Sequence, residues 1–182
     1  MKRRIVYPLA CFITLLLLLS AGVAQEKLRY KELPNFHRIN EKLYRGAQPQ
    51  TNGWQILSKL GIKTVINLRD NDGRADSEEK QVRAAGFNYF NIPMARLARP
   101  NDDKVQKALA IINTPEYQPV FVHCRHGADR TGVVIGAYRI LNEGWTSERA
   151  KAEANRHGMK IWQFAMKDYL HDLYRDKKQT GN

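Results

Sequence analysis

The sequence predicts an α/β fold: a central, mostly parallel sheet of four to five strands flanked by helices. Three observations carry this. Short apolar runs at 63–69, 88–92 and 119–123 alternate with longer stretches of helical periodicity. Crossovers through those helices favour parallel neighbours. Residues 36–45 read instead as two short strands around Asn40-Glu41, a hairpin that adds antiparallel pairing at one edge.

In chain order, residues 25–36 are a polar lead-in to the hairpin, and Gly46-Ala-Gln-Pro49 is a turn. Thr51 is placed to cap a helix whose inner face carries Trp54, Ile56, Leu57 and Leu60, with Gly61 ending it. Lys63–Arg69 is a buried strand whose exit loop holds Arg69, Asp70, Asp72 and Arg74. Ser77 is placed to cap the next helix, with Glu78, Glu79, Val82 and Ala85, and Gly86 closes it. Asn88–Ile92 is another strand, and Pro93–Pro100 is an Arg-rich loop. Asn101 or Asp102 caps a helix to about Asn113, with Val105, Leu109 and Ile112 inward. The strand Pro119–His123 then feeds a polar loop and a long apolar helix ending near Gly144. Ser147 caps a helix to Arg156, broken by Gly158. The last helix is expected from about Ile161 to Arg175, with Trp162, Met166, Leu170, Leu173 and Tyr174 as its core residues.

The chain has 182 residues and a net charge of +12, which is one domain's worth of chain and a pull toward anionic partners. Those partners are phosphorylated substrates or a membrane surface. No groove-reading motif supports nucleic acid. Lys2-Arg3-Arg4 opens the chain, no charge follows from Ile5 to Gln25, and Gly22-Val23-Ala24 offers the small residues a signal peptidase reads. Residues 1–24 are therefore expected to be a signal peptide cleaved after Ala24, directing the protein to a bacterial periplasm or beyond. The alternative is an uncleaved anchor in the inner membrane, because the uncharged run is just long enough to span a bilayer. Cys11 precedes the leucine run and is a poor lipoprotein site. After cleavage Cys124 is the only cysteine, which excludes a disulfide framework and suits a reactive thiol.

The chemistry concentrates in Val120-Phe-Val-His-Cys-Arg-His-Gly-Ala-Asp-Arg-Thr-Gly132. A loop between a strand and a helix N-terminus turns backbone N–H groups into one concavity, which binds oxyanions with help from the helix dipole. Gly127 suits the sharp bend. A thiolate at Cys124 is favoured by those N–H groups, the dipole and Arg130. Beside a bound phosphate it is a nucleophile aimed at phosphorus. The planar guanidinium of Arg130 can hold two phosphate oxygens, and the Thr131 hydroxyl is placed to donate to the sulfur and help it leave. Arg125, His126, Gly127, Ala128, Asp129 and Arg130 form the phosphate-binding loop, which itself neutralises the phosphoryl charge, so no metal or other cofactor is required. His123-Cys124-x-His126 lacks a second ligand cluster at zinc-like spacing.

HCRHGADRTG, a His-Cys-x5-Arg-Thr pattern, resembles the signature of the cysteine-dependent protein tyrosine and dual-specificity phosphatases. Tyr44-Arg-Gly-Ala-Gln-Pro49, Gly61–Arg69 and Ile92-Pro-Met94 look like landmarks of their compact atypical members from bacteria, plants and fungi. With the Cys loop these cover about residues 36–145. The resemblance implies a protein tyrosine phosphatase-like fold and a catalytic domain over residues 25–182. It implies a phosphoric monoester hydrolase working through phospho-cysteine on phosphotyrosine, phosphoserine or phosphothreonine proteins. Phosphoinositides or inositol phosphates are the alternative substrates, and a non-catalytic phosphate-binding module or a sulfurtransferase the alternative functions.

The leaving oxygen needs a proton from a positioned acid. In most of the family this is an Asp on a mobile loop before the Cys loop, but Pro93–Pro100 holds no carboxylate. Two candidates remain: Asp129, beside Arg130 as in myotubularin-type phosphatases, and Asp102 at a helix start. Arg69 and Asp70 either contact substrate or pair with each other. His123 is expected to brace the loop and tune Cys124. Arg125 and His126 face outward, Arg96 and Arg99 form a second basic rim, and His157 and His171 lie at the surface.

Overall fold

The computed structural model describes residues 30–181. The expected export signal or anchor at residues 1–24 lies outside the described residues. Among the described residues no helix is long and apolar enough to cross a membrane.

The expected sheet forms with five strands: β1 (His37–Arg38), β2 (Leu43–Ala47), β3 (Thr64–Asn67), β4 (Asn88–Asn91) and β5 (Val120–Cys124), in the order β1-β2-β5-β3-β4. Only β1 and β2 run antiparallel, as the hairpin requires; β2–β5, β5–β3 and β3–β4 are parallel. The strand bearing Cys124 is thus central, flanked by β2 and β3, and its carboxyl end is where ligands bind in such sheets.

Alternation along β5 explains the two-sided core. Val120 and Val122 join one cluster with Ile66 and Leu43, packed under α3 (Asp102–Asn113), α4 (Asp129–Glu143), α5 (Ser147–Arg156) and α6 (Phe164–Gln179). Phe121 points the other way, into a cluster with Trp54 and Leu57 of α1 (Gly53–Lys59) and Val82 of α2 (Gly73–Ala84). Helix α4 is the most enclosed: Gly132 and Gly136 let it approach so closely that a Cβ at either would stand 2.9 Å from Met159 or Leu170. That tight seat fixes the helix whose first turn carries Asp129, Arg130 and Thr131.

Several expected boundaries move. The α1 cap is Asn52, not Thr51, and it makes no side-chain cap bond. Helix α2 begins at Gly73, capped by Asp72 accepting from the Arg74 and Ala75 N–H groups, so Ser77 lies inside the helix. Asp72 wins because it stands at the exit of the loop after β3, and a helix begun there places Glu78 inward at the Cys strand. Ala85 is exposed at the helix end. Asn101 caps α3 as expected. Thr146 caps α5, leaving Ser147 buried. Helix α6 starts at Phe164, so Trp162 sits in the preceding loop at 59 % exposure and is not core. The lead-in is structural: Leu33 is buried and Asn35, at φ 52, reaches the Cys loop.

Candidate active site

The loop after β5 is held from behind, and this aims its amides. The Arg125 carbonyl accepts from the Gln48 N–H at 3.4 Å. Asn35 Nδ2 donates to the His126 and Gly127 carbonyls, each at 3.1 Å. Arg45 Nη2 donates to the Gly127 carbonyl at 2.7 Å. In a trans peptide the next N–H points opposite to the carbonyl. Pinning these three carbonyls outward therefore turns the N–H groups of His126, Gly127 and Ala128 toward the concavity. Gly127 holds φ +65 with its α-carbon hard against β2; a Cβ there would fall 2.4 Å from Gly46 backbone atoms.

The concavity is a cavity of about 180 Å³ lined by Cys124, Arg125, His126, Asp129 and Arg130, with Arg96, Leu97, Lys160, Trp162 and Gln163 as its outer wall. Cys124 is a free thiol, 3 % exposed. The Arg130 guanidinium is fixed by the Leu68 carbonyl at 3.3 Å and the Met94 carbonyl at 3.5 Å, with Asp70 Oδ1 at 3.8 Å. Asp70 thus faces Arg130, while Arg69 turns to Glu78 at 3.1 Å and to Gln48; the two do not pair with each other.

The two acid candidates separate by position. Asp129 lines the cavity, and its carboxylate accepts the Lys160 N–H at 2.9 Å. Asp102 is not among the lining residues. It faces Tyr169, whose ionisation is pushed up by burial and by that carboxylate, although the hydroxyl makes no bond of good geometry. The expected Thr131–Cys124 hydrogen bond is not formed: Thr131 Oγ1 is buried without a partner. The carbonyl one helical turn back, at Gly127, is already taken by Arg45 and Asn35.

His123 is fully buried, stacked on Phe121, with Nε2 2.9 Å from Glu78 Oε1. Burial pushes the Glu78 carboxyl up, but His123, Gln48 and Arg69 outweigh it and hold the carboxyl below its ordinary value. An ionised carboxylate only accepts, so Nε2 carries the proton. Arg45 is fully buried beneath the loop; burial pulls its pKa down to about 10 against the opposing pull of Glu153 and Cys124. Sequence reasoning missed Glu78, Arg45 and Asn35 as parts of the site. A charged residue in the middle of an otherwise buried β2 was the available signal for Arg45.

Arg125 and His126 are exposed as expected and Arg96 lies at the rim, but Arg99 turns away to Asp172 at 2.8 Å. His171 is exposed. His157 is half-buried with its ring 4.2 Å from that of His37, not a surface residue, because α5 ends against the lead-in that supports the loop. Among the described residues no group of three or more His, Cys, Asp or Glu is arranged to hold a metal ion.

A family model described as "DSP-PTPase phosphatase fused to NAD+ Kinase" matches residues 28–172. The dual specificity protein phosphatase TpbA of Pseudomonas aeruginosa (strain UCBPP-PA14) is 33% identical over 125 residues, 68% of this chain and 55% of TpbA. The crystal structure of P. aeruginosa TpbA aligns with a TM-score of 0.67 at 26% identity, over 82% of this chain and 92% of that one. Inositol diphosphatase DSP4 of Arabidopsis thaliana is 25% identical over 111 residues, 59% of this chain and 56% of DSP4. The chain spans about half the length of these curated relatives. The site geometry and these matches agree, and the chain belongs to the DSP-PTPase family of dual-specificity and tyrosine phosphatase domains.

Proposed function

We propose that this protein is a metal-independent phosphoric monoester hydrolase that works through a phospho-cysteine intermediate on phosphorylated proteins. The observation that supports this best is the loop itself: carbonyls pinned outward, amides inward, Cys124 beneath and Arg130 braced beside it. The Cys124 thiolate attacks phosphorus, forming the S–P bond as the P–O bond to the leaving group breaks. Arg130 and the loop amides hold the transferring oxygens. Asp129 gives its proton to the leaving oxygen. Its carboxylate then takes a proton from water as that water attacks phosphorus, the S–P bond breaks, and orthophosphate and the thiolate are released. Thr131 Oγ1, which has no partner in the protein, is free to turn toward the sulfur and donate to it as it departs. Asp70 orients Arg130, and His123 braces the loop.

The test is hydrolysis of an aryl phosphate by the full chain with a chelator present, beside Cys124→Ser. Turnover lost in the variant, with phosphate binding retained, supports the mechanism. Turnover that survives it, or that the chelator abolishes, contradicts it.

A second reading is favoured by one feature. Arg96, Arg125 and Lys160 surround the cavity with Asp129 as the one acid in its wall, which suits a polyanion such as an inositol phosphate. DSP4 is named an inositol diphosphatase. Faster turnover of inositol phosphates than of phosphopeptides at matched concentration would select it.

A further inference from the structure

Among the described residues four large apolar side chains are exposed: Leu97 (73 %), Ile161 (76 %), Trp162 (59 %) and Phe164 (68 %). All four lie in two segments, one after β4 and one running into the first residue of α6. Leu97 and Trp162 line the Cys124 cavity, and Gln163 Nε2 donates to the Arg96 carbonyl at 3.0 Å, tying the segments together. Single exposed apolar residues are ordinary, but four in two joined segments, two of them in the cavity wall, mark an interaction surface.

The same rim is cationic. Arg96 and Lys160 stand in the cavity wall, Lys160 Nζ lies 5.9 Å from the Trp162 ring, and Lys167 Nζ reaches the Ile161 carbonyl at 3.3 Å. Of the acids nearby, Asp129 accepts the Lys160 backbone N–H and Asp172 pairs with Arg99 and Arg175, while Asp168, one helical turn beyond Phe164, is exposed. The cavity between the segments is small, about 180 Å³, and floored by the phosphate loop. Leu97 and Trp162 therefore flank a small hole whose other lining residues are charged or polar apart from Cys124. Apolar groups beside cations are what enters a lipid interface, the former at the acyl boundary and the latter on the phosphates.

We propose that this rim docks the catalytic face on an anionic phospholipid surface: Leu97, Ile161, Trp162 and Phe164 enter the interface while Arg96 and Lys160 meet lipid phosphates. Docking needs no turnover, so it stands or falls separately from the phosphatase reading, and the test uses the full chain carrying Cys124→Ser. Tryptophan fluorescence is measured with vesicles of phosphatidylcholine, with and without phosphatidylglycerol, whose acyl chains carry bromine as quencher. The N-terminal segment could hold the chain on vesicles by itself, so the readout is local. Trp54 is buried and Trp145 is covered by Arg139 and Arg149, leaving Trp162 to report the rim.

The expected result is quenching on phosphatidylglycerol vesicles that is mostly lost with Trp162→Phe, and mostly lost with Arg96→Glu/Lys160→Glu while Trp162 is still present. Quenching unchanged by Trp162→Phe would overturn the proposal, as would equal quenching on neutral vesicles. So would absent quenching together with Leu97→Ser or Ile161→Ser raising KM for a phosphotyrosine peptide in otherwise wild-type protein, which would make the rim a peptide-binding edge.

Discussion

Glu78 Oε1 lies 2.9 Å from His123 Nε2, joining helix α2 to the residue before Cys124, with both side chains almost fully buried. Arg69 closes the chain on the other carboxylate oxygen at 3.1 Å. Glu78→Gln removes the carboxylate that accepts from His123 and carries the charge opposite Arg69 in a nearly closed site, so it should cost about 1–3 kcal/mol at pH 7, read from a denaturant midpoint. The Glu78 carboxyl sits below its ordinary value in the folded state, so its contribution is present above about pH 4.3 and is lost as pH falls through the lowered value. Wild type and variant should therefore converge in acid; a gap that stays constant from pH 7 to acid would show that charge is not the cause.

Gly127→Ala should be severe although it adds one carbon. The position needs φ +65, and the Cβ would stand 2.4 Å from Gly46 backbone. A loss of at least about 2 kcal/mol is expected, together with weakened phosphate binding, because the loop must lift from β2 and release its pinned carbonyls. Thermal melting and a phosphate titration check both parts.

His157 supplies an acid-side instability. Burial first, then the charges of Arg45 and His37, pull its pKa down to about 3 from an ordinary 6.5. The folded protein thus holds the neutral ring where the unfolded chain would bind a proton. Stability from this residue is full above pH 6.5 and declines as pH falls from 6.5 toward 3. His157→Gln should flatten the fall of Tm between pH 7 and pH 5; an unchanged slope would remove His157 as its source.

Asp129 and Asp102 should separate on leaving-group chemistry. Asp129→Asn is expected to slow an alkyl phosphate by about 10²–10⁴-fold and an aryl phosphate much less, because only the poor leaving group needs the proton. Asp102→Asn, set beside Tyr169 and away from the cavity wall, should change both little. The reverse ranking would move the acid to Asp102.

The parts of this fold legible in the sequence were local ones. Strand β5, the Cys loop and helix α4 are contiguous, and their apolar runs, Gly127 and the Arg130-Thr131 start encode strand, nest and helix within one short window. The loop's supports were not legible, because each comes from far along the chain: Asn35 and Arg45 reach Gly127 across 92 and 82 residues, and Glu78 reaches His123 across 45. Caps failed where two suitable residues stood close together. Asp72 and Ser77 are both good caps, and the choice fell to where the chain leaves β3. Trp162 looked like core because the helical spacing extends back through it, yet α6 begins two residues later and turns it to solvent at the cavity mouth.

The proposed mechanism requires the Cys124 sulfur to carry the phosphoryl group. Turnover of an aryl phosphate by the full chain carrying Asp129→Asn, quenched in acid and digested, tests it most directly, because its leaving group departs without the proton while slower proton transfer in the second step should let the intermediate accumulate. Mass spectrometry should then find one phosphoryl group on the peptide containing Cys124, and none when Cys124→Ser is added. A phosphoryl group on another residue, or turnover with no phosphorylated peptide in either protein, would contradict the mechanism.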